Sequence, residues 1–212
     1  MEPERLAFSA NLYRLPVEGG YLLVDAGLPW ETRRLLSLIK DPPKALFLTH
    51  HHLDHAGGAR SVWEKFRIPI YAHPKDIPYL TGKRRRPPLP IPLLGGLLAN
   101  AAPPLPEEAV VPVEEGEVLF GFRVVHLPGH TPGQVGLLGK GLLLAGDALR
   151  GGRRGVMPPP PFATEDMEEA LKTVGRIAHL EVERVYVGHG GPFTQEEVLT
   201  LARLLCQKGA KA

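Results

Sequence analysis

LTHHHLDHAGG, residues 48–58, places four histidines and one aspartate within the six positions from His50 to His55. It continues KALFLTH (44–50), a short apolar run of strand character, and leads into GARSVWEKFR (58–67), which reads as a helix. In an extended segment residues i and i+2 share a face. His50 and His52 therefore project together from the strand end, and His51 projects the other way. Two imidazoles on one face suit zinc or iron. Once the chain turns, Asp54 and His55 can supply a second, neighbouring position. Chance crowding of surface histidines is the bland alternative, and H-x-H-x-D-H spacing at a strand end argues against it.

Upstream of this cluster the chain reads as a hairpin and a helix. FSANLYRL (8–15) and YLLVDAG (21–27) are strand-like and flank the turn residues PVEGG. Residues 30–40 suit a helix with Leu35, Leu36 and Ile39 on one face, ended by Pro42-Pro43. Downstream, IPIYAH (68–73) is a strand. Residues 82–106, GKRRRPPLPIPLLGGLLANAAPPLP, then break the rhythm. Leu89 to Leu105 carries no charge but holds four prolines, which excludes a membrane-spanning helix. The segment is either a proline-stiffened surface connection or a lid over a binding site.

The second half repeats the pattern. AVVPV, EVLFGFRVVHLPGH, QVGLLGK and GLLLAGD are short strands separated by turn residues. TEDMEEALKTVGRIAHL (164–180) predicts a helix with Thr164 as N-cap. VERVYVGHGG (182–191) is a strand with a loop, and TQEEVLTLARLLCQKG (194–209) is a helix with Thr194 and Glu197 in capping-box register. Runs of strands followed by helices predict an α+β fold of two facing sheets with helices outside, an αββα sandwich in one domain over residues 1–212.

Three later residues fit the need of the first cluster: His130 in LPGHTPG, Asp147 in LLLAGDAL and His189 in VYVGHGG. Each follows an apolar strand and is flanked by small residues, where functional groups collect and the backbone can bend toward an ion. With His50, His52, Asp54 and His55 they make seven candidate ligands, enough for two metal ions.

The order H-x-H-x-D-H, G-H, G-D, G-H resembles the metallo-β-lactamase superfamily, from VDAG to VGHGG. The resemblance implies the αββα sandwich with a dinuclear site at the edge where the sheets meet. It implies that His50, His52 and His130 hold one ion, that Asp54, His55 and His189 hold the other, and that Asp147 bridges them. Asp25, in the D-x-G after the second strand, would orient the ligand loops. Zinc is favoured, with iron or manganese as alternatives. Two such ions can share a hydroxide, with Asp54 placed to handle a proton. The expected function is hydrolysis of an ester, thioester or lactone-type carbonyl, similar to the glyoxalase II and lactonase branch. A mononuclear iron persulfide dioxygenase is the alternative on the same fold. The glutathione-binding helical domain of full-length glyoxalase II is not recognisable in the chain.

Arg150, Arg153 and Arg154 follow the bridging aspartate and could bind a substrate carboxylate or phosphate, although a solvated basic loop is the simpler reading. His51, His73, His126 and His179 are left as structural residues, with His73 the nearest to qualifying for the cleft. The chain has 25 basic and 23 acidic residues and a net charge of +2, so nothing pulls it toward nucleic acid or stable membrane insertion. The partner expected is a small-molecule substrate. The single cysteine, Cys206, and the absence of an n- and h-region at the start predict a cytoplasmic protein without disulfides.

Overall fold

A computed structural model describes residues 2–88, 93–153 and 155–209. The first sheet has the order β1 (Glu4–Ala7), β2 (Asn11–Val17), β3 (Gly20–Val24), β4 (Ala45–Phe47), β5 (Ile70–Ala72) and β6 (Val110–Pro112). The β1-β2-β3 meander is antiparallel, and β3 to β6 are parallel. The second sheet joins β7 (Val118–Leu119), β8 (Phe122–His126), β9 (Val135–Gly139) and β10 (Leu142–Leu144) to later strands. A separate hairpin, β11 (Arg150–Gly152) and β12 (Gly155–Met157), follows β10. Strand β13 (Arg184–Tyr186) then returns parallel to β10, and β14 (Phe193–Thr194) closes that edge.

The helices are α1 (Thr32–Leu38), α2 (Leu53–Ala56), α3 (Ala59–Phe66), α4 (Ile77–Leu80), α5 (Gly95–Ala99), α6 (Met167–Ala178) and α7 (Gln195–Gly209). Alternation along the strands sorts the side chains into three apolar layers. Leu15, Leu22, Val24 and Phe47 of the first sheet meet Phe122, Val124, Leu137 and Leu144 of the second in the middle layer. Their chain neighbours Leu23, Leu46 and Leu48 face the other way, onto Leu35, Ala59 and Val62 of α1 and α3. Val125, Leu143 and Val185 likewise face Val174, Ile177, Val198 and Ala202 of α6 and α7. Three apolar layers between four layers of structure are the αββα sandwich. Phe47 is fully enclosed in the middle layer, where truncation to alanine costs about 3–5 kcal/mol.

The structure corrects the start of α6. Asp166, not Thr164, is the N-cap: its Oδ1 accepts the Glu169 N–H at 2.9 Å. The capping box before α7 is present, with Thr194 N–H donating to Glu197 Oε2 at 2.8 Å and Glu197 N–H to Thr194 Oγ1 at 3.3 Å. Among the described residues no helix is long and apolar enough to cross a membrane. Within 82–106, residues 89–92 lie outside the described residues, and 95–99 form the one-turn helix α5.

Candidate metal centre

Strand β4 runs into an extended loop that ends with His52 as the N-cap of α2. This carries His50, His52, Asp54 and His55 to the edge of the first sheet. His130 follows β8, Asp147 follows β10 and His189 follows β13, so the second sheet contributes the other three. All seven predicted positions converge. Ligand atoms of His50, His52 and His130 lie within 4.8 Å of one another, as do those of Asp54, His55 and His189, and those of His50, His55 and Asp147. Asp147 stands between the first two groups. Its Oδ2 is 3.7 Å from His130 Nε2 and 3.4 Å from His189 Nε2, and its Oδ1 is 3.4 Å from His55 Nε2. Asp54 Oδ2 lies 3.1 Å from His189 Nε2.

The hydrogen bonds on the far side of the rings decide which nitrogen faces the centre. Thr49 Oγ1 donates to Asp25 Oδ2 at 2.8 Å and so accepts from His50 Nδ1 at 3.0 Å. Thr164 Oγ1 donates to the Pro160 carbonyl and accepts from His130 Nδ1 at 3.2 Å. His55 Nδ1 donates to Asp25 Oδ2 at 2.7 Å. Each ring therefore turns its Nε2 inward, the nitrogen left to bind an ion. The Nε2 atoms of His50, His55 and His130, with Asp147 Oδ1, are buried without a hydrogen-bond partner. Buried polar atoms are rarely left so, and four of them around one point fit a cation. The donor set of imidazoles and carboxylates suits zinc, iron or manganese.

Charge reinforces this fit. Burial, aided by neighbouring rings, holds His50 and His52 well below the ordinary histidine range, and burial brings His130 down to about 4. Neutral imidazole is the form that binds metal. Hydrogen bonds donated to Asp147 and Asp54 push His189 up to about 9. Burial works against a proton on His55, but the carboxylates of Asp147, Asp25 and Asp54 overcome it and push the group well above its usual range. Burial likewise opposes ionisation of Asp147, and His55 and His189 still hold it well below the carboxylate range. The centre therefore carries excess negative charge that protons satisfy when no cation does.

Several groups that sequence reasoning missed position this centre. Asp25 was anticipated; with φ +62 it also accepts the Thr49 N–H at 2.8 Å. Asp76 was not. Its buried carboxylate accepts the His51 N–H at 2.9 Å, the Thr131 hydroxyl at 2.9 Å and the Gly133 N–H at 2.8 Å, tying the loops of His50 and His130 together. Asn11 Nδ2 donates to the Val187 and Gly190 carbonyls, and the Tyr13 hydroxyl donates to Val187, so the first sheet grips the His189 loop. Gly188 leaves no room for a side chain: a Cβ there would collide with Asp147 Oδ1 and the His55 ring.

The remaining histidines are placed as follows. His51 is fully buried and stacked on Tyr79, with Nδ1 3.2 Å from Asp76 and Nε2 3.7 Å from Glu165. It joins none of the groups around Asp147, although its ligand atoms, with those of His52 and Glu165, also lie within 4.8 Å. His73 stacks on His126 at 4.3 Å and does not line the cleft. His179 caps the end of α6, its Nδ1 2.7 Å from the Gly175 carbonyl oxygen.

A cleft of about 700 Å³ opens onto His52, Asp54, His130, Asp147 and His189. Arg86, Pro87, Pro88, Leu98 and Ala99 form one wall, so the 82–106 segment borders the centre; Trp30, Pro160 and Phe162 add further apolar surface. Of the predicted arginines among the described residues, Arg150 lines the cleft. Arg153 is exposed in the turn of the β11–β12 hairpin and does not line it, and Arg154 lies outside the described residues.

Residues 7–189 match the family model described as the metallo-beta-lactamase superfamily. The chain is 33% identical to the probable metallo-hydrolase YflN of Bacillus subtilis, over 87% of this chain and 82% of that one. It is 29% identical to the hydroxyacylglutathione hydrolase GloC of Haemophilus influenzae, over 81% and 80%. The crystal structure of TTHA1623 in a di-iron-bound form superposes with a TM-score of 0.75 at 33% identity, covering 96% of this chain and all of that one. Fold, converging ligand residues and family match agree: the chain belongs to the metallo-beta-lactamase superfamily.

Proposed function

We propose that the protein is a dinuclear metal-dependent hydrolase of an ester, thioester or lactone-type carbonyl compound. The observation that carries this reading is the set of buried, partnerless Nε2 atoms of His50, His55 and His130 with the Asp147 oxygen, next to an open cleft that His130 and Asp147 line. His50, His52 and His130 would hold one ion, Asp54, His55 and His189 the other, and Asp147 both. Bound there, the ions supply a hydroxide nucleophile at neutral pH and a Lewis acid for the carbonyl oxygen.

The chain's own residues supply the remainder. Asp25 holds His55 in the ligating tautomer, Thr49 does so for His50, and Thr164 for His130. Asp54 Oδ2 faces His189 and His55, which leaves Oδ1 to receive the proton released during attack. The apolar walls exclude water around the substrate, and Arg150 lines the same cleft. No serine or cysteine lines the cleft among the described residues, and the Thr164 hydroxyl is committed to the Pro160 carbonyl. The likeness to GloC favours a thioester among the three substrates, and the di-iron relative supports iron beside zinc and manganese.

Metal content of protein purified without added metal or chelator, followed by a thioester and lactone panel, tests the proposal. About two ions per chain with turnover is the expected result. A single iron with oxygen uptake on a persulfide would replace it with the dioxygenase reading.

A further inference from the structure

Arg86 is a charged side chain in an apolar wall. It lies in the segment bordering the cleft, and only 8% of its surface is exposed. Its Nε donates to the His51 carbonyl at 2.7 Å, between His50 and His52. Its backbone is fastened to the region of α5: Arg86 N–H donates to Asn100 Oδ1 at 2.9 Å, and Asn100 Nδ2 donates back to the Arg86 carbonyl at 3.3 Å. The guanidinium is thus held in place from two sides.

What it lacks is a counter-charge. Among the described residues no carboxylate forms an ion pair with it. Asp76 acts on it only from a distance, its oxygens already taken by His51, Thr131 and Gly133. Burial accordingly brings Arg86 down to about 10. The carboxylates that share the cleft are engaged elsewhere: Asp54 and Asp147 face the histidines, and Glu165 faces His51. Among the described residues the terminal nitrogens of Arg86 make no hydrogen bond, and they are not among the fully enclosed partnerless atoms. They meet the space of the cleft that Arg86 lines. Buried charges in proteins are paired, so a fixed, unpaired guanidinium beside open space calls for an anion from outside.

We propose that Arg86 anchors an anionic group of the substrate, making the preferred substrate an apolar acyl compound that carries a carboxylate. The substrate assignment rests on the hydrolase reading; the anion site does not. Trp30, Pro88, Leu98 and Phe162 receive the apolar body while Arg86 holds the charge.

A matched pair of fluorescent probes tests this without turnover. 8-Anilinonaphthalene-1-sulfonate carries an anion, and N-phenyl-1-naphthylamine has the same rings without it. In the metal-loaded protein, Arg86→Gln, which keeps a donor for the His51 carbonyl, should weaken the sulfonate probe about tenfold or more and leave the neutral probe unchanged. Arg86→Lys, which keeps the charge, should hold the sulfonate probe within about threefold; if Arg86→Gln loses metal, Asn100→Ala, which frees the Arg86 backbone, decides, with the sulfonate probe weakened and the neutral probe unchanged. Equal loss of both probes, no loss in either variant, or loss of the sulfonate preference in Arg150→Gln instead overturns the proposal. If the protein hydrolyses no carbonyl substrate, the hydrolase reading fails while the probe comparison still judges Arg86.

Discussion

Gly188→Ala adds one methyl group, and the structure places that methyl inside the metal centre. The Cβ would stand 2.5 Å from His55 Cε1 and 3.1 Å from His55 Nε2, and closer still to Asp147 Oδ1. Ordinary contact begins at 3.4 Å, so the His55 ring must retreat by about 0.9 Å. Metal–ligand distances tolerate about 0.2 Å. The glycine cannot retreat instead, because its N–H donates to the Gly146 carbonyl at 2.9 Å and its carbonyl accepts the Asn11 N–H at 2.6 Å. Two ligands, His55 and Asp147, are therefore displaced together. Affinity should fall by at least the roughly 10–100-fold that loss of a supporting hydrogen bond produces. Overpacking should cost the metal-free protein only about 1–3 kcal/mol, a fall in Tm of roughly 2–12 °C. Elemental analysis and circular dichroism measure the two effects separately. A folded variant with depleted metal is expected. A variant with the full complement of metal and native kcat/KM would refute the assignment of His55 and Asp147 as ligands.

Gly175→Ala is the contrasting case: α6 leaves open space around that position, so the change should stabilise the protein by about 0.4–1 kcal/mol in denaturant titration. Asp76→Asn puts an N–H against one of three donors and should cost about 2–3 kcal/mol, with loss of metal from the His50, His52 and His130 group first. Deleting residues 93–102 removes α5 and the Asn100 tether and should lower kcat/KM on any active substrate; an unchanged value would sink its role as a cleft wall. Burial, then His126, brings His73 down to about 4, below the ordinary value near 6.5. The unfolded chain therefore binds the extra proton first. The stability His73 contributes is complete above about pH 6.5 and is lost as pH falls toward about 4. His73→Asn, which keeps an acceptor for the Lys75 N–H, should show a shallower fall of Tm across that window.

The layers and the convergence of the seven candidate residues were legible because both depend on short-range pattern. Alternation in LYRLPV and LLV separates Leu15 from Leu12 and Leu22 from Leu23, and the same alternation separates the layers in space. The ligands follow apolar strands, and parallel strands end at one sheet edge, so linear order became spatial order. Asp76 carried no such signal. Its partners lie 25, 55 and 57 residues away, and nothing in HPKD distinguishes it from a surface aspartate. Arg86 looked like one more charge in KRRR until the fold buried it. Thr164 and Asp166 are both good N-cap types, and only the reach of Asp166 to the Glu169 N–H separates them. In GGRRG, hairpin pairing of Arg150 with Met157 leaves Arg153 at the tip, a distinction that charge clustering cannot make.

The proposed ligands are drawn from both halves of the sandwich: His50, His52, Asp54 and His55 from one sheet, His130, Asp147 and His189 from the other. An ion held by such a set is a cross-link, and the two halves cannot separate without releasing it. Occupancy therefore adds to folding stability by mass action, about 2.7 kcal/mol for free metal at a hundred times its Kd. The protein's resistance to proteases then becomes a function of metal supply. On the proposed metal centre, a cell short of metal would lose the protein by degradation as well as any activity the metal supports.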